Sequence, residues 1–269
     1  MTRQSPLSHH PTPPWTWAAA GALLGLVMAL MVFAPARWLA SAAQQLSGAR
    51  LLLAQPQGTV WSGSAQLVLT GGAGSSEAMA LPGRVSWQLQ PAWSAWQLQI
   101  NAACCTPQAL KVQVTPRWGA IHMSVQDSLS QWPLDLLAGL GTPWNTIQAK
   151  GVLHLSTQGL SITLGQVPPT ITGQAQIKAV DVDSRLSTLR PMGSYQITLK
   201  NSDKVPQTLG LELSTLKGSL QLMGNGHWAN SRWHFKGSAS ADPERIDALS
   251  NLLNIIGRRD GARSLITIG

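Results

Sequence analysis

Few residues of this sequence have types and spacings that could perform chemistry. Asp181 and Asp183 lie two positions apart, so on a β-strand both carboxylates would share one face, but no histidine or cysteine accompanies them at metal-ligand spacing. They are predicted to be solvated residues at a strand edge. The six histidines form no H-E-x-x-H or H-x-H pair outside the N-terminal tail. We therefore predict no metal site and no catalytic residues.

A second chemical pattern is the segment GNGHWA at 224–229, which has the G-x-G-x-x-A spacing of dinucleotide-binding loops. A phosphate site of this kind needs a helix N-terminus after the glycines, whereas residues 231–235 have the pattern of a further strand. The glycines are therefore predicted to form a hairpin turn. The sequence has no G-x-S-x-G and no Walker A pattern, so we predict no enzyme activity, no cofactor and no small-molecule substrate.

The two cysteines of the chain, Cys104 and Cys105, are adjacent. In an oxidising compartment they could close an eight-membered ring. An ordinary disulfide, however, joins Cα atoms about 5.5 Å apart, beyond the separation of about 3.8 Å between trans neighbours. Two interpretations stay open, namely a pair of reduced thiols at a strand end and a vicinal disulfide that closes the loop before Pro107.

Charge is sparse throughout the chain. Only 11% of the 269 residues are charged, against about 25% in an average soluble domain, while 44% are hydrophobic. This composition excludes a disordered, highly charged chain and provides material for a core of one or two domains. The net charge is +8, but only Arg258 and Arg259 among the basic residues are adjacent. No nucleic-acid partner is therefore predicted.

An uncharged apolar segment runs from Trp15 to Ala34. A helix of about 20 residues, at about 1.5 Å per residue, spans the hydrocarbon core of a bilayer. Trp15, Trp17 and Trp38 flank the segment, as interfacial aromatic residues do, and Pro35 follows it. Residues 15–35 are predicted to be a transmembrane helix, between a cytoplasmic tail at 1–14 and a juxtamembrane helical linker at 36–48.

The alternative to a retained anchor is a cleaved signal peptide, because the segments APA at 34–36 and ASA at 40–42 resemble cleavage sites. Retention is favoured because the apolar segment is longer than a signal h-region and because Pro35 would hinder cleavage at the first site. The count of positive residues on the two sides does not determine the orientation. The default prediction is a single-pass protein with a short inside tail and a large outside domain.

Beyond the anchor, apolar and polar residues alternate with a period of two, as at 61–69, which is typical of antiparallel strands with one buried face. About a dozen strands are predicted, in one β-rich domain at 49–269 with a candidate seam at 132–150. The apolar positions change from odd to even within 177–182, which predicts a β-bulge. The outward strand positions carry Gln, Ser and Thr, so the sheet lacks much of the charge that ordinarily protects strand edges from pairing.

Two short helices accompany the strands. One is predicted from Pro133 to Leu140 and ends before Gly141. The other lies near the C-terminus, with Asp242 as N-cap, Pro243 at the first helical position and Gly257 after the last turn. The apolar face of this helix is predicted to cover an open end of the sheet. The fold class is thus mainly β, with one N-terminal membrane helix, a curved and largely antiparallel sheet, and a short C-terminal helix.

Three segments of the chain resemble one protein family. They are GTVWSGSA at 58–65, just after the anchor, GRVSW at 83–87, and LGTPWNT at 140–146. Together with Pro91 and the Asp-Gly pair at 260–261 they resemble type II secretion system protein N over nearly the whole chain. The motif residues are structural rather than catalytic, and they are Gly58, Val60, Trp61, Gly63, Trp87, Gly141, Pro143 and Asn145.

The resemblance implies a single-pass protein of the cell inner membrane with its bulk in the periplasm. Such a protein belongs to the machinery that exports folded proteins across the outer membrane through a secretin. The implied partners are other inner-membrane components of that machinery, with the periplasmic part of the secretin as a further candidate. Sparse charge suits docking on such proteins through a strand edge or an apolar face.

A rival function from another class is lipid handling. A membrane-anchored, curved sheet with Trp and Leu along its concave face could hold acyl chains, as in AsmA-like membrane proteins. Long alternation of apolar and polar residues is common to both functions, so the two stay open at the level of the sequence.

Overall fold

The computed structural model describes residues 15–165, 170–201, 209–229 and 232–269, so the predicted cytoplasmic tail at 1–14 lies outside the described residues. The α-helices are α1 Trp15–Val32, α2 Ala36–Leu46, α3 Trp144–Ile147 and α4 Ile246–Ile256, and 3₁₀-helices occupy Leu134–Leu140 and Pro243–Arg245. The strands are β1 Leu51–Gly58, β2 Ser62–Thr70, β3 Ala78–Ala80, β4 Val85–Ala92, β5 Ala95–Ala102, β6 Leu110–Arg117, β7 Ala120–Val125, β8 Ser128–Pro133, β9 Lys150–Leu164, β10 Thr170–Asp183, β11 Gly193–Asn201, β12 Leu209–Gly218, β13 Leu220–Ala229, β14 Arg232–Ala241, β15 Arg258–Asp260 and β16 Arg263–Ile268.

These strands form one 16-stranded sheet in the order β1-β2-β4-β5-β6-β7-β9-β10-β11-β12-β13-β14-β16-β15, with β3 paired to β2 and β8 paired to β9. Neighbouring strands are antiparallel, which confirms the predicted mainly β class. The number exceeds the predicted dozen, and two of the additional strands, β3 and β15, have three residues each, too few for alternation to mark them. Across the candidate seam at 132–150, β7 pairs with β9, so both halves of the chain share the sheet.

Three helical segments cover one face of the sheet and contribute to three hydrophobic clusters. Ala36 and Leu39 of α2 pack against Ala65 and Trp87. Leu136 of the first 3₁₀-helix belongs to the cluster around Leu81, Val85 and Ala102. The third and largest cluster unites α4 with the second half of the sheet, and it includes Leu249, Leu252, Leu253, Tyr195, Leu220 and Ala239. The sheet therefore owes its buried surface to these three covers rather than to a second sheet.

The C-terminal helix lies where the sequence predicts it, with a difference at its start. A 3₁₀ turn at Pro243–Arg245 precedes α4, and Gly257 follows its last residue. The side chain of Asp242 makes no capping hydrogen bond. Its carbonyl accepts a bond from the Arg245 N–H at 2.8 Å instead, so the tight turn takes the place of the predicted N-cap.

The β10 strand confirms the predicted bulge, because its pairing with β11 shifts between Ala179 and Val182, and Asp181 has a φ of 49°. The prediction that Asp181 and Asp183 lie at a solvated strand edge is wrong. β10 lies inside the sheet between β9 and β11, and Asp183 is half-buried whereas Asp181 is exposed. The bulge gives these two carboxylates different environments, which the simple alternation could not predict.

The prediction of a hairpin turn at Gly224 and Gly226 is also wrong. Both glycines lie inside β13, where Gly224 pairs with Gly237 and Gly226 with Phe235 of β14. The Phe235 ring occupies the space that a side chain at Gly224 would fill. Glycine is needed here for the close approach of an aromatic ring and not for a turn.

Candidate anchoring and docking site

The first family segment forms the junction between α1 and the sheet. The indole N–H of Trp61 donates a hydrogen bond to the carbonyl of Met31, at 2.8 Å, in the last turn of α1. The Val60 N–H donates to the carbonyl of Ala34, also at 2.8 Å. Pro35 forms an isolated antiparallel bridge with Thr59. The residues that follow α1 are therefore fixed to the sheet without a free linker.

Trp87 supports this junction from within the sheet. Its ring is buried, and its indole N–H lies 3.1 Å from the carbonyl of Val60 and 3.3 Å from that of Thr59. Gly63 faces the ring, since a Cβ there would lie 2.6 Å from Trp87 Cζ2 and 2.6 Å from the carbonyl oxygen of Gln57. Only glycine fits between the indole and the two strands.

Gly58 and Trp61 complete the turn between β1 and β2. Gly58 has a φ of +83°, and a Cβ there would lie 2.5 Å from the Ser62 carbonyl oxygen. The Trp61 ring stacks on Trp96 with a centroid distance of 5.5 Å and an interplanar angle of 23°. The structure thus brings five of the eight family residues, Gly58, Val60, Trp61, Gly63 and Trp87, into one contact network.

Arg84 also belongs to this network, although the sequence pattern predicted no role for it. Its guanidinium donates to the carbonyl oxygens of Gln55, at 2.8 Å, and Ser64, at 3.0 Å. The register of β1 and β2 shifts between Ala54 and Gln57, and Gln55 has a φ of 47°. The guanidinium therefore supplies a partner for a carbonyl at a β-bulge. A lone arginine inside an uncharged strand pattern was the signal available in the sequence.

The other three family residues lie apart from the junction. Gly141 has a φ of +77°, and Pro143 follows a cis peptide bond after Thr142. The Asn145 side-chain amide donates to Glu77 Oε1 at 2.5 Å. The segment at 140–146 thereby joins the loop after β2, and Ile147 accepts a bond from the hydroxyl of Ser184 at 2.7 Å on its other side. This segment ties the first half of the sheet to the second.

The two cysteines form a disulfide in the structure, with sulfur atoms 2.11 Å apart and Cα atoms 3.7 Å apart. They lie in the loop between β5 and β6, with Cys104 exposed and Cys105 buried. The carbonyl of Cys105 accepts the Gln131 N–H at 2.7 Å, and the hydroxyl of Thr106 lies 2.8 Å from the Ala102 nitrogen. These hydrogen bonds hold the loop against β8, so the loop that carries the disulfide is part of the packed structure.

Titratable groups do not converge on a common centre in the described part of the chain. No group of three His, Cys, Asp or Glu residues there could hold a metal ion. Burial raises the pKa of the Tyr195 hydroxyl, which finds no hydrogen-bond partner among the described atoms. Tyr195 packs among the apolar side chains of the α4 cluster, so its perturbed pKa reflects desolvation in the core.

The outermost strands of the sheet, β1 and β15, differ in their protection against pairing. β15 has the three-residue sequence RRD, whereas β1 has the eight-residue, uncharged sequence LLLAQPQG. Short length and charge discourage a further strand from adding to an edge. In β1 the bulge at Gln55 and the following Pro56 interrupt the edge, which leaves Leu51–Ala54 as its regular part. β1 is therefore the less protected of the two outermost strands.

These features define a class, a large antiparallel β-sheet fixed at one corner to a single helix. Among the described residues α1 is the helix long and apolar enough to cross a membrane, with a mean hydropathy of 1.8 and no buried residue. The family model for type II secretion system (T2SS), protein N, matches residues 49–266, and the chain belongs to this family. No curated protein and no solved structure matches the chain.

Proposed function

We propose that this chain is a non-enzymatic inner-membrane component of the type II secretion machinery that contributes to export of folded proteins by docking on other components. Membership of the family supports a place in this machinery. The observation that carries the docking role is the contrast between the uncharged edge strand β1 and the short, charged edge strand β15. The bulk of the chain would then lie in the periplasm and the partners would offer a strand to β1.

A retained anchor is supported by the contacts of the residues just after α1. Cleavage after residue 36 would remove the Ala34 carbonyl that accepts the Val60 N–H. Either cleavage would remove Ala36, and cleavage after residue 42 would also remove Leu39; both residues cover Ala65 and Trp87. Either cut would expose apolar surface that the folded sheet needs to bury. The arrangement therefore favours a transmembrane helix over a cleaved signal peptide.

The docking proposal predicts a strong effect of one charge at the β1 edge. Ala54 pairs with Gln66 on the face of the sheet opposite the Ala65–Trp87 cluster. The substitution Ala54→Lys should lower co-purification of the other inner-membrane components about tenfold, or about 1.4 kcal/mol, because a lysine on an edge strand opposes strand addition. The amounts that co-purify with the tagged full chain from membranes can be measured by quantitative mass spectrometry.

Gln88→Lys is the matched control. Gln88 is exposed and pairs with Ser62 two strands in from the edge, so the same charge is added away from β1. This variant should co-purify with the other inner-membrane components in the same amounts as the unmodified chain does. Docking at β1 is contradicted if Ala54→Lys, shown to unfold in urea like the unmodified protein, retains its partners to the same extent as Gln88→Lys.

Lipid handling is the second candidate, and one row of side chains favours it. Cross-strand pairing places the apolar residues of five neighbouring strands in register, in a row that β5 begins and β10 ends: Trp96, Val114, Met123, Ile162 and Ile171. None of these five side chains is fully buried. The row belongs to none of the three clusters beneath the helical covers. An apolar row of this kind could contact acyl chains.

The two candidates differ in what the purified protein should contain. For a docking component, organic extraction of the full chain in detergent, followed by mass spectrometry, should recover no phospholipid in stoichiometric amount. A constant molar ratio of phospholipid that falls when Met123 is replaced by lysine would support lipid handling instead. The lysine would put a charge in the middle of the apolar row, where an acyl chain could not accommodate it.

A further inference from the structure

Two β-hairpins project beyond the junction at the same end of the sheet. β4 pairs with β2 only as far as Gln88, and then continues with β5 to the pair Ala92↔Ala95. The next hairpin, β6 with β7, continues to the pair Arg117↔Ala120. The four residues from Leu89 to Ala92 extend the first hairpin about 13 Å past the level of the junction. Both tips therefore lie on the side of the sheet from which α1 departs.

Each hairpin presents one tryptophan at its tip. The side chains of Trp93 and Trp118 are 111% and 104% exposed, more than any other large apolar residue of the described chain. A fully exposed indole is costly in water and is enriched where a protein meets the bilayer interface. Trp61 and Trp96 stack on each other between these tips and α1. Tryptophan is thus concentrated at one end of this part of the sheet.

The charges of the two hairpins suit an anionic lipid surface. Their strands, β4 to β7, contain no Asp or Glu, and Arg117 stands beside Trp118. Arg117 is exposed, so its guanidinium can reach lipid phosphates while the neighbouring indole enters the interface. Acidic residues, which anionic headgroups would repel, are absent from both hairpins.

The distances are compatible with contact between the tips and the bilayer that α1 crosses. The 18 residues of α1 span about 27 Å, close to the thickness of about 30 Å of a hydrocarbon core. The hydrogen bonds of Trp61 and Val60 then hold the sheet at the membrane surface rather than away from it. A hairpin that extends about 13 Å further can cross a headgroup layer of about 5 to 8 Å.

We propose that the tips of hairpins β4–β5 and β6–β7 insert Trp93 and Trp118 into the headgroup interface of the membrane that α1 spans. The occupant of this surface is the phospholipid bilayer itself. The contact would fix the tilt of the sheet over the membrane and so determine which way the β1 edge faces. This inference rests on the proposed membrane anchor and goes beyond the proposed docking.

Fluorescence quenching of the full chain tests this contact. The protein is reconstituted into vesicles of phosphatidylglycerol and phosphatidylcholine with bromine atoms near the headgroup end of the acyl chains. The difference between the unmodified chain and the double variant Trp93→Phe/Trp118→Phe gives the signal of the two tip residues, because all other tryptophans cancel. This difference signal should be quenched about twofold or more relative to vesicles without bromine, as interfacial indoles are.

Trp144→Phe provides the matched control. Trp144 is 38% exposed and lies in α3, among the connections at the opposite end of the strands. Its difference signal should not respond to bromine and should be quenched by acrylamide in the water. The inference is overturned if the signal of Trp93 and Trp118 behaves like that of Trp144, a result that would assign the tips to a protein partner or to water.

Alkaline carbonate extraction separates this failure from failure of the anchor. If the chain stays with the vesicles and the tip residues are not quenched, α1 spans the membrane and only the contact of the hairpins is refuted. If carbonate releases the chain, the anchor proposed above fails, and the inference fails with it. Retention in carbonate together with strong quenching of the tip signal supports both.

Discussion

Replacement of Gly63 by alanine should destabilise the β-sheet domain by about 2 to 3 kcal/mol, because the added methyl group overpacks a rigid site. A Cβ at this position would lie 2.6 Å from Trp87 Cζ2, 2.6 Å from the Gln57 carbonyl oxygen and 2.9 Å from the Thr59 carbonyl oxygen. The two oxygens belong to backbone that pairing and turn bonds hold in place, so only the indole could move. Urea unfolding of the detergent-solubilised full chain, followed by tryptophan fluorescence, measures the change.

Besides lowering the stability of the whole domain, the substitution should weaken the junction between α1 and the sheet. Displacement of Trp87 would remove its bonds to the carbonyls of Val60 and Thr59, and with them the support for the residues that contact α1. Limited proteolysis should therefore cut near Phe33 faster in Gly63→Ala than in the unmodified chain. Gly25→Ala is the control, since no atom lies within 4 Å of a Cβ built at Gly25. Equal unfolding midpoints for the two variants would refute the close fit at Gly63.

The largest loss from a single truncation is expected at the C-terminal helix. Leu253 is 0% exposed and lies in the cluster that joins α4 to Tyr195, Leu220 and Ala239. Its replacement by alanine should lower the free energy of unfolding by about 3 to 4 kcal/mol, because burial is lost and a cavity remains. The effect should reach the second half of the sheet, since α4 supplies three buried leucines to that cluster. Hydrogen exchange of β11 to β14 can localise it.

Ile255→Ala removes a similar apolar side chain from the same helix. Ile255 is 46% exposed, so the variant should lose less than about 1 kcal/mol. The comparison separates loss of the core from loss of helix propensity, which both substitutions change to a similar extent. If Leu253→Ala unfolds at the same urea concentration as Ile255→Ala, α4 does not cover the sheet in solution, and the description of the largest cluster is wrong.

Local patterns in the sequence were sufficient for much of the secondary structure. The β-rich class, the apolar helix α1, the bulge in β10 and the end of α4 before Gly257 all follow from features within a few residues of each position. Strand alternation, helix ends and apolar length are properties of neighbouring residues, so no knowledge of distant contacts is needed. The pattern failed where distant residues intervene, as at Gly224, whose place inside a strand depends on the ring of Phe235.

The family motifs could be recognised in the sequence, but the structural role of each motif residue depends on contacts between distant segments. Gly63 contacts Trp87, Trp61 contacts Met31 of α1, and Asn145 contacts Glu77. Each of these pairs is separated by more than twenty positions in the chain. Spacing along the sequence could show that these residues form motifs and could not show which distant partner each one contacts.

The sequence by itself determined that this protein is a sparsely charged β-protein with one apolar segment long enough to cross a bilayer. These properties follow from composition and local periodicity, which any fold of the chain must accommodate. Only the tertiary structure decided that the sheet is continuous from β1 to β15, that its uncharged edge is β1, and that Trp93 and Trp118 lie at one end with α1. Strand order and register depend on pairing between distant residues, and such pairing leaves no mark in the local pattern.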